Sequence, residues 1–401
     1  MIILIGLACE DSKHDAANDS GHRRYRQYRR RGRFRTSAPR CPGARNGPYP
    51  RRPQRGVPVR AMVRTRDSRS AALEARGAEV VVADLFDPDR LVAAMRGAQR
   101  AYFVPPYSPY VIQSAVAFAI AAREAKLEAI VQMSQWTSHR NHPALMTRQT
   151  WLMDRMFAEF RGIAHTILNP GLFADDFLRT IDSAALLGFF PLLSGNGRVA
   201  PVANEDIART AVAVLIAPER HDGKTYRPTG PQLLSGREMA DIVATVVGHP
   251  VRPVHVPFWL FNKTARWRQG VEPFLISAMR HYAEDMKNGI FVFEGGVTNT
   301  VEALTGRPAE NFETTARRYA ALPFARPSLG NRLKALAGFI LTPFLPGYDL
   351  ERLEREWRIP VPAKPTLTLQ DERWRSEHSQ LMGQQPHAGG AISAPSLRVA
   401  S

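Results

Sequence analysis

One hydroxyl and two imidazole side chains lie close together near the middle of the chain. Ser134 ends an apolar run, and His139 and His142 follow it in a polar loop. A histidine donates or accepts a proton near neutral pH, so the imidazoles are candidate acid–base groups beside the serine hydroxyl. Solvated histidines are the more common outcome in such a loop. His165 adds a third imidazole, but no ordered Cys, Asp or Glu spacing joins the three, and we expect no metal site.

Two arginines follow an apolar run nearer the start of the chain. Residues 57–63 read as a strand, and Arg64 and Arg66 come directly after it. At the end of such a strand a guanidinium suits the 2′-phosphate of NADP, whereas an acidic side chain would accept hydrogen bonds from the 2′-hydroxyl of NAD. We therefore expect NADP as cofactor, with NAD as the alternative. A solvated pair of arginines at a strand end is the competing interpretation.

The elements that would position these groups alternate between strand and helix. The predicted strands are residues 57–63, 79–83, 101–104, 129–133 and 164–168, and the predicted helices are residues 68–76, 88–95, 111–126 and 146–160. Such alternation is typical of a parallel sheet with helices on both faces. The sequence thus predicts an α/β fold with a Rossmann-like, doubly wound parallel sheet. Its ligands would lie at the carboxyl ends of the strands.

The pattern loosens after Gly171. Helices are predicted at 205–215, 236–247 and 273–286, with extended pieces at 224–229 and 251–256. We assign these to a smaller α+β lobe that begins at about residue 172. The predicted organisation is an aberrant, disordered segment at 1–55, the nucleotide-binding domain with its lobe at 56–330, a C-terminal extension at 331–379 and a disordered tail at 380–401.

The net charge of +17 is concentrated in one segment. Residues 21–55 contain 13 Arg and no Lys, Asp or Glu, so only +4 remains for the rest of the chain. A nearly balanced body gives no reason to expect a specific nucleic-acid partner. Cys9 and Cys41 both precede residue 56, which leaves the body without a cysteine and favours a cytoplasmic protein.

Two apolar segments are too short to cross a bilayer. Residues 1–8 are followed by Cys9, Glu10 and Asp11 rather than by a cleavage site, so we expect no secretion signal. Residues 336–345 are interrupted by Pro343, which favours a packed or interfacial segment over a transmembrane span.

The leading segment lacks the first unit of the predicted fold. A Rossmann sheet begins with a strand, a glycine-rich turn and a helix whose N-terminus holds the pyrophosphate. Residues 22–55 are instead rich in Arg, Pro and Tyr and have no apolar periodicity. The first strand–helix unit is therefore expected to be missing or garbled. A basic arm that binds RNA or acidic lipid is the alternative.

A shifted reading frame supplies the missing unit. With permitted synonymous codons, residues 14–34 can be read as MTPPTILVTGATGNIGAEVVS, which is a strand, a glycine-rich turn and a helix start. The same frame continues as SALLRRGVPVRAMVRTRD, and the actual sequence spells RGVPVRAMVRTRD at 55–67. A frameshift combined with a short duplication would explain both observations.

The body of the chain resembles the NmrA-like family of atypical short-chain dehydrogenases. The resemblance rests on GVPVRAMVR, GAEVVVADLFDPDRLVAAMRG, YFVPP, HTILNPGLFADDF, ANEDIARTAVAVL, KTYRPTGPQLLSGREMADIVATVVGHPV and VEALTGRP, in this order from residue 57 to about 322. It implies an NAD(P)-binding Rossmann domain and a substrate lobe. The cofactor-binding residues that follow from the strand ends and the resemblance are Arg64, Arg66, Asp84, Leu85, Phe103, Val104, Pro105, Ser134, Asn169, Pro170 and Gly171.

The resemblance gives these residues separate places along the cofactor. Asp84 and Leu85 would lie beside the adenine, although Asp87 and Pro88 offer a helix start in the same turn. Phe103, Val104 and Pro105 would line the cofactor. Ser134 occupies the position of a catalytic serine, and residues 169–171 form a turn near the nicotinamide. His142 resembles a family histidine.

One absence distinguishes this chain from typical short-chain dehydrogenases, which carry a Tyr and, four residues later, a Lys that lowers the tyrosine pKa. No Tyr or Lys occurs between Glu128 and Gly223. The catalytic residue is thus unknown from the sequence. We expect either an NADPH-dependent oxidoreductase acting on a small apolar or quinone-like molecule, or a non-catalytic NADP(H) sensor that reports to a protein partner. The aromatic residues of 258–267 could line a substrate pocket, or pack in the core.

Overall fold

The computed structural model describes residues 2–5, 58–193, 195 and 197–386. Its strands are β1 (Ile2–Ile5), β2 (Val59–Val63), β3 (Glu79–Val82), β4 (Arg100–Phe103), β5 (Ala129–Met133), β6 (Ala164–Leu168), β7 (Phe189–Leu192), β8 (Thr225–Tyr226) and β9 (Arg252–His255). Seven of them form one sheet in the order β3-β2-β1-β4-β5-β6-β8, and β7 pairs with β9 in a separate parallel pair.

The neighbouring pairs β2 and β3, β4 and β5, β5 and β6, and β6 and β8 are parallel. All five residues of β5 are buried, as expected for a central strand that helices cover on both faces. The predicted fold class, a doubly wound Rossmann-like sheet, is confirmed.

Strand β1 fills the centre of the sheet in the opposite direction. It is antiparallel to both β2 and β4, with Ile3 opposite Ala61 on one side and Tyr102 on the other. The corresponding central strand of a dinucleotide-binding fold is parallel, and the phosphate-binding turn follows its carboxyl end. In this chain the carboxyl end of β1 lies at the edge of the sheet away from the carboxyl ends of β2 and β4. Strand β1 therefore ends at the opposite edge from the one where such folds bind a cofactor.

The helices are α1 (Ser68–Glu74), α2 (Pro88–Met95), α3 (Val111–Glu124), α4 (Leu145–Ala158), α5 (Ala174–Leu178), α6 (Ile181–Leu187), α7 (Asn204–Ile216), α8 (Gly236–Val247), α9 (Phe258–Trp267), α10 (Pro273–Lys287), α11 (Thr300–Thr305), α12 (Phe312–Ala320), α13 (Leu329–Leu341), α14 (Leu350–Glu356) and α15 (Glu372–Gly383). Short 3-10 helices lie at Pro218–Arg220, Ile290–Gly295, Thr342–Phe344 and Thr368–Gln370. None of the helices among the described residues is long and apolar enough to cross a membrane.

Two cores sandwich the main sheet. On one face α2, α3 and α4 contribute Met95, Phe118 and Phe157, all fully buried. On the other face α7 contributes Ile207 and Val214, which pack with residues of β5 and β6. The sheet is thereby fixed on both sides, so its carboxyl edge is a rigid platform.

The smaller lobe has its own core around the β7–β9 pair and helices α6, α8, α10 and α12. Phe190 and Met239 lie at its centre, and Trp136 from the main domain and Trp374 from α15 belong to the same cluster. Two assignments made from the sequence are wrong. The helix at 205–215, expected in the lobe, is α7, which covers one face of the main sheet. The extended piece at 224–229, also expected in the lobe, contains β8, the last strand of the main sheet. Its two residues pair with Ile167 and Leu168, a long-range contact that no local pattern reveals.

The expectation of disorder at the two ends needs correction. At the C-terminus α15 runs to Gly383 and the side chain of Gln385 is buried, so the predicted disorder is wrong for residues 380–386. Residues Trp374, His378 and Met382 recur every four positions and form a buried helix face. At the N-terminus, Ile2–Ile5 form a strand that the sequence pattern did not predict. The shifted-frame segment at 14–52 and residues 387–401 lie outside the described residues.

Candidate functional site

The carboxyl ends of β2, β3, β4, β5, β6 and β8 lie along one edge of the main sheet. Open α/β sheets bind their ligands in the crevice outside this edge. Residues predicted to bind a cofactor lie at the ends of five of these strands. The fold therefore places these residues along one edge of the sheet. The side chains nevertheless differ in whether they are free to contact a ligand.

Arg64 and Arg66 have different surroundings at the end of β2. Arg64 is exposed and makes no hydrogen bond or ion pair within the part of the chain that the structure describes. Arg66 forms an ion pair with Glu74 and donates from Nη2 to the carbonyl of Val80 at 3.0 Å. Arg64 is therefore the guanidinium available to a phosphate, whereas Arg66 joins α1 to β3.

Asp84 follows β3 in a tight turn. Its Oδ1 accepts a hydrogen bond from the backbone N–H of Phe86 at 3.0 Å. The cap of α2 is Asp87, which accepts from the N–H of Arg90 at 3.1 Å. Asp84 is thus not the helix cap, and its other carboxylate oxygen remains a candidate acceptor. Leu85 is half-buried against the core beneath the sheet.

The segment after β4 only partly suits its predicted role. The Phe103 ring is fully buried and stacks on Phe118 with 4.1 Å between centroids. A ring with no exposed surface cannot line a cofactor, so the prediction is wrong for this side chain. Strand alternation explains the error, because Phe103 points into the helix-covered core. Val104 is half-buried and Pro105 is buried at the edge, and both stay predicted contacts.

Ser134 belongs to a polar network around Asp154 of α4. The Asp154 carboxylate accepts hydrogen bonds from Ser134 Oγ at 2.8 Å, Ser138 Oγ at 2.7 Å and Gln132 Nε2 at 2.6 Å. The three donors are themselves buried, so the carboxylate points inward although part of Asp154 faces a cleft. Burial raises the pKa of Asp154 to about 6, despite the three donors that lower it. Ser134 is thereby oriented by a carboxylate that titrates near neutral pH.

The turn at residues 169–171 closes the end of β6. The backbone N–H of Asn169 donates to the carbonyl of Tyr226 in β8 at 2.7 Å, and the N–H of Gly171 donates to the carbonyl of Pro228 at 3.0 Å. Asn169 Oδ1 is buried and has no partner among the described residues. A buried acceptor without a partner is costly, and it marks a place where a ligand or water would bind. Pro170 is buried in the same turn.

Arg227 is a site residue that sequence reasoning missed. It follows β8, is fully buried, and lies with its guanidinium carbon 3.5 Å from the centre of the Trp136 ring. Its Nη2 donates to the carbonyl of Trp136 at 3.1 Å, but Nε and Nη1 have no partner in the described part of the chain. Burial lowers the arginine pKa well below its usual range. The sequence pattern assigned residues 224–229 to the smaller lobe, so it did not indicate that Arg227 lies at the edge of the main sheet.

Asn169 and Arg227 belong to the same side of the sheet. Leu168 and Tyr226, the preceding residues of the two neighbouring strands, both pack against α7. Side chains alternate along a strand, so Asn169 and Arg227 are on the opposite side, with Ser134 and Asp154. Three adjacent strand ends therefore present polar groups on one side.

A cleft of about 750 Å³ lies on this side, between α4, the β6 and β8 strands and α15. Asp154, Ser138 and Asn169 line its inner wall, and His378 of α15 faces them. His378 stacks on Trp374 with 3.8 Å between centroids, and burial lowers its pKa to about 3, so it is neutral at physiological pH. The C-terminal extension is thus one wall of the cleft.

The two histidines considered as acid–base groups have a structural role instead. His139 Nε2 lies 2.9 Å from Asp371 Oδ2, and His142 Nε2 lies 2.8 Å from Asp285 Oδ2. Asp285 also accepts from Thr368 of the extension. Both imidazoles are buried and fasten the extension to the main domain, so the catalytic hypothesis for them is not supported by their surroundings. Among the described residues no group of three or more His, Cys, Asp or Glu side chains could hold a metal ion.

The edge fits a dinucleotide at its two ends. Arg64 is free at the adenosine side, and the unpartnered Asn169 Oδ1 lies at the nicotinamide side. The pyrophosphate between them needs a glycine-rich turn at the end of a parallel central strand. β1 is antiparallel, and the segment whose shifted frame reads TGATGNIG falls outside the described residues. Among the described residues, no group takes the place of the phosphate-binding turn.

Comparison with known proteins agrees with the fold. The family model for NAD(P)H-binding domains matches residues 52–218. The chain is 32% identical over 267 residues to the NAD(P)H azoreductase of Xenophilus azovorans, covering 66% of this chain and 90% of the azoreductase. Among solved structures, the NADPH complex of the quinone oxidoreductase QOR2 from Escherichia coli has a TM-score of 0.55 and 21% identity, with 65% of this chain and 89% of that one covered.

NmrA, a negative transcriptional regulator solved in complex with NAD, shares the fold at a TM-score of 0.51 and 13% identity, over 64% of this chain and 85% of NmrA. The azoreductase relation and the ordered motifs from residue 57 to about 322 extend well past the matched domain. The chain therefore belongs to the NmrA-like family of NAD(P)H-binding proteins.

Proposed function

We propose that this protein is an NADPH-dependent reductase of a small apolar, quinone-like acceptor, acting in the cytoplasm. The observation that carries the proposal is the relation to an NAD(P)H azoreductase over 90% of that enzyme. The strand ends add to it, because they hold polar groups without protein partners where the family binds its ligands. NADPH, when bound, supplies the hydride, and the protein binds and orients the reactants.

The preference for NADPH rests on Arg64. Its guanidinium is exposed at the end of β2 and is not engaged by any described carboxylate. A charge-assisted, planar donor set at this place favours a 2′-phosphate over a 2′-hydroxyl. Arg66, which is committed to Glu74, contributes to the local positive potential only.

The missing Tyr and Lys favour a quinone-like acceptor over a ketone. Reduction of a ketone leaves a strongly basic alkoxide, which requires a proton donor in the transition state. Hydride addition to a quinone leaves a phenolate-type anion whose conjugate acid resembles a tyrosine side chain, with a pKa of about 10. Water can protonate such an anion, so no catalytic Tyr is needed between Glu128 and Gly223.

The cleft beside α4 offers a place for the acceptor. Asn169, Ser138 and Asp154 supply polar contacts, and Trp151 supplies an apolar wall. Arg227 lies at the next strand end, but it is fully buried and is not among the residues that line the cleft, so it positions the strand ends instead of contacting the acceptor. The lining residues orient the acceptor.

A direct test measures NADPH oxidation by the purified protein with a panel of quinones and azo dyes. Because the phosphate cradle depends on the N-terminal segment, the assay uses both the chain as it stands and a variant in which residues 1–54 are replaced by MTPPTILVTGATGNIGAEVVSALLR. We expect acceptor-dependent oxidation by the variant. A variant that binds NADPH but turns over none of the acceptors would contradict the reductase proposal.

The second candidate is a sensor that binds NADP(H) without turnover and reports its redox state to a protein partner. The absence of Tyr and Lys between Glu128 and Gly223 favours the sensor, as does the likeness of the fold to NmrA. Calorimetry with NADP and NADPH separates the two functions. Tight binding with no turnover supports the sensor, whereas acceptor-dependent turnover supports the reductase.

A further inference from the structure

The C-terminal extension presents an apolar surface to solvent. Four residues of α13 recur at helical spacing, Leu329, Leu333, Leu336 and Ile340, and their side chains are 44–76% exposed. Residues at this spacing occupy one stripe of a helix. Only Ala335, on the opposite side, is buried. The helix therefore turns its apolar stripe outward instead of toward a core.

The turn after α13 extends the same surface. Leu341 is 57% exposed, and Phe344 in the following 3-10 turn is 83% exposed. Leu329, Leu333, Leu336, Ile340, Leu341 and Phe344 are called the apolar face below. Isolated exposed apolar side chains are ordinary, but a contiguous set of this size marks an interaction surface.

Two exposed tryptophans lie on the helix that holds this turn. Trp259 and Trp267 are on α9, and about half of each side chain is exposed. Trp267 Nε1 donates to the carbonyl of Pro346 at 2.8 Å, and Lys263 donates to the carbonyl of Pro343. These bonds fix α9 against the turn. Tryptophan prefers the boundary between water and lipid, where its ring is apolar and its N–H remains polar.

The charged residues next to the apolar face in the sequence are basic. Residues 314–348, which contain the apolar face, include five Arg and Lys residues and no Asp or Glu. Residues 242–271, which contain α9, include four Arg and Lys residues and no Asp or Glu. Arg318 and Arg268 are paired with acidic residues from elsewhere in the fold. Arg332 and Lys334, on α13 itself, have no ion pair among the described residues. The apolar face is thus bordered by free positive charge.

We propose that this face docks on a membrane surface that contains anionic lipid. Apolar side chains that enter the headgroup region, beside Trp and basic residues that remain at its boundary, are the composition of an interfacial helix. The charge pattern disfavours a second copy of the chain, since a symmetric contact would bring together two faces that are each bordered by Arg332 and Lys334. The proposal does not depend on the proposed enzymatic function.

Vesicle sedimentation tests the proposal with the full chain and with the protein whose residues 1–54 are replaced, because the 13 Arg of residues 21–55 can bind anionic lipid on their own. Vesicles of phosphatidylcholine are compared with vesicles in which part of the lipid is phosphatidylglycerol. We expect the protein to bind the anionic vesicles, with binding weakened by salt because the attraction is partly electrostatic. Failure to bind anionic vesicles would overturn the proposal.

Paired variants separate the apolar contribution from the charge. The double substitution Leu333→Ser and Phe344→Ser should reduce vesicle binding at least tenfold, since two large side chains no longer enter the lipid. The matched control is Ile120→Ser with Leu152→Ser, which changes two apolar residues on α3 and α4 that are each about half exposed and should leave binding unchanged. Arg332→Gln with Lys334→Gln should weaken binding to anionic vesicles by about fivefold for each charge removed.

Two results would overturn the assignment to lipid. The first is vesicle binding that the Leu333→Ser, Phe344→Ser variant retains in full. The second is a dimer in sedimentation equilibrium that the same variant converts to a monomer, because a second copy would then cover the apolar face. Circular dichroism of both double variants checks that the exposed substitutions leave the fold intact.

Discussion

Arg227 and Trp136 are packed face to face inside the protein, with 3.5 Å between the guanidinium carbon and the centre of the indole ring. The arginine follows β8 and the tryptophan follows β5, so the contact joins two strand ends across β6. The ring attracts the cation, and the Trp136 carbonyl accepts one hydrogen bond. Two further nitrogens have no partner among the described residues. Such an arrangement is expensive for stability alone, which favours a role in positioning the strand ends at the candidate site.

Replacing Arg227 by Met should separate stability from function. Methionine keeps most of the apolar volume and removes a buried charge, so we expect an unfolding free energy equal to or above that of the parent protein. In the protein whose residues 1–54 are replaced, we expect the Arg227→Met substitution to lower kcat/KM for the quinone acceptor about tenfold or more. Urea unfolding and initial rates measure the two quantities. A large loss of stability with unchanged kinetics would assign Arg227 to the fold only.

Arg64→Ala should change cofactor preference. Loss of a charge-assisted contact to the 2′-phosphate costs about 1.5–3 kcal/mol, so KM for NADPH should rise by about tenfold or more while KM for NADH stays the same. Arg76→Ala is the matched control, because Arg76 is also exposed and free of ion pairs among the described residues. An equal effect of both substitutions on NADPH would indicate a general charge effect and contradict the specific contact.

Asp154 should give the protein a distinctive pH dependence. Its folded-state pKa is raised from 3.8 to about 6 by burial, so the folded state retains a proton that the unfolded state loses. The contribution of this proton to the free energy of unfolding is complete below the pKa of Asp154 in the unfolded state. It is lost as pH rises through the pKa of Asp154 in the folded state. Between pH 4 and 7 the loss amounts to at most about 3 kcal/mol.

The Asp154→Asn variant isolates this effect. The amide does not titrate, so the difference in unfolding free energy between parent and variant should fall as pH rises from 4 to 7. Urea unfolding at several pH values measures it, and Asp84→Asn provides a control at a turn on the same sheet edge. A difference that is constant over this pH range would be incompatible with the raised pKa.

The C-terminal extension should contribute to stability through Trp374. This side chain is nearly fully buried, donates from Nε1 to the Ser138 carbonyl at 3.1 Å and stacks on His378. Trp374→Ala should lower the unfolding free energy by about 3–5 kcal/mol. Trp259→Ala, which truncates a half-exposed ring of the same size, should lower it far less. Similar effects for the two substitutions would mean that α15 is only weakly attached.

Local patterns predicted the first half of the body closely. The helix Pro88–Met95 and the strands Ala129–Met133 and Ala164–Leu168 have the bounds that the sequence predicted. An Asp–Pro start marks the helix, and uninterrupted apolar runs mark buried strands. Alternation of these elements was sufficient to predict the doubly wound sheet.

Features that depend on distant contacts were missed. β8 is only two residues long and is defined by pairing with β6, and α15 is defined by the core that it covers. Arg227 was missed because β8, which it follows, was not recognised as a strand of the main sheet. The role of His139 was misjudged because its partner Asp371 lies 232 residues away in the sequence. Phe103 was placed at the correct strand end, but on the buried side of the sheet.

The direction of β1 connects the structure with the shifted reading frame. An antiparallel Ile2–Ile5 strand occupies the central position without delivering a turn to the carboxyl edge. The segment MTPPTILVTGATGNIGAEVVS would supply a parallel strand, the glycine-rich turn and a helix N-terminus for the pyrophosphate. We therefore expect the replaced protein to bind the cofactor and the chain as it stands to bind it poorly.

Calorimetric titration of NADP into both forms of the protein tests this account most directly. The protein with residues 1–54 replaced by MTPPTILVTGATGNIGAEVVSALLR should bind NADP at least tenfold more tightly than the unaltered chain, and more tightly than it binds NAD. The absence of binding to the replaced protein, although it is folded, would show that the carboxyl edge of this sheet is not a dinucleotide site and would contradict the account.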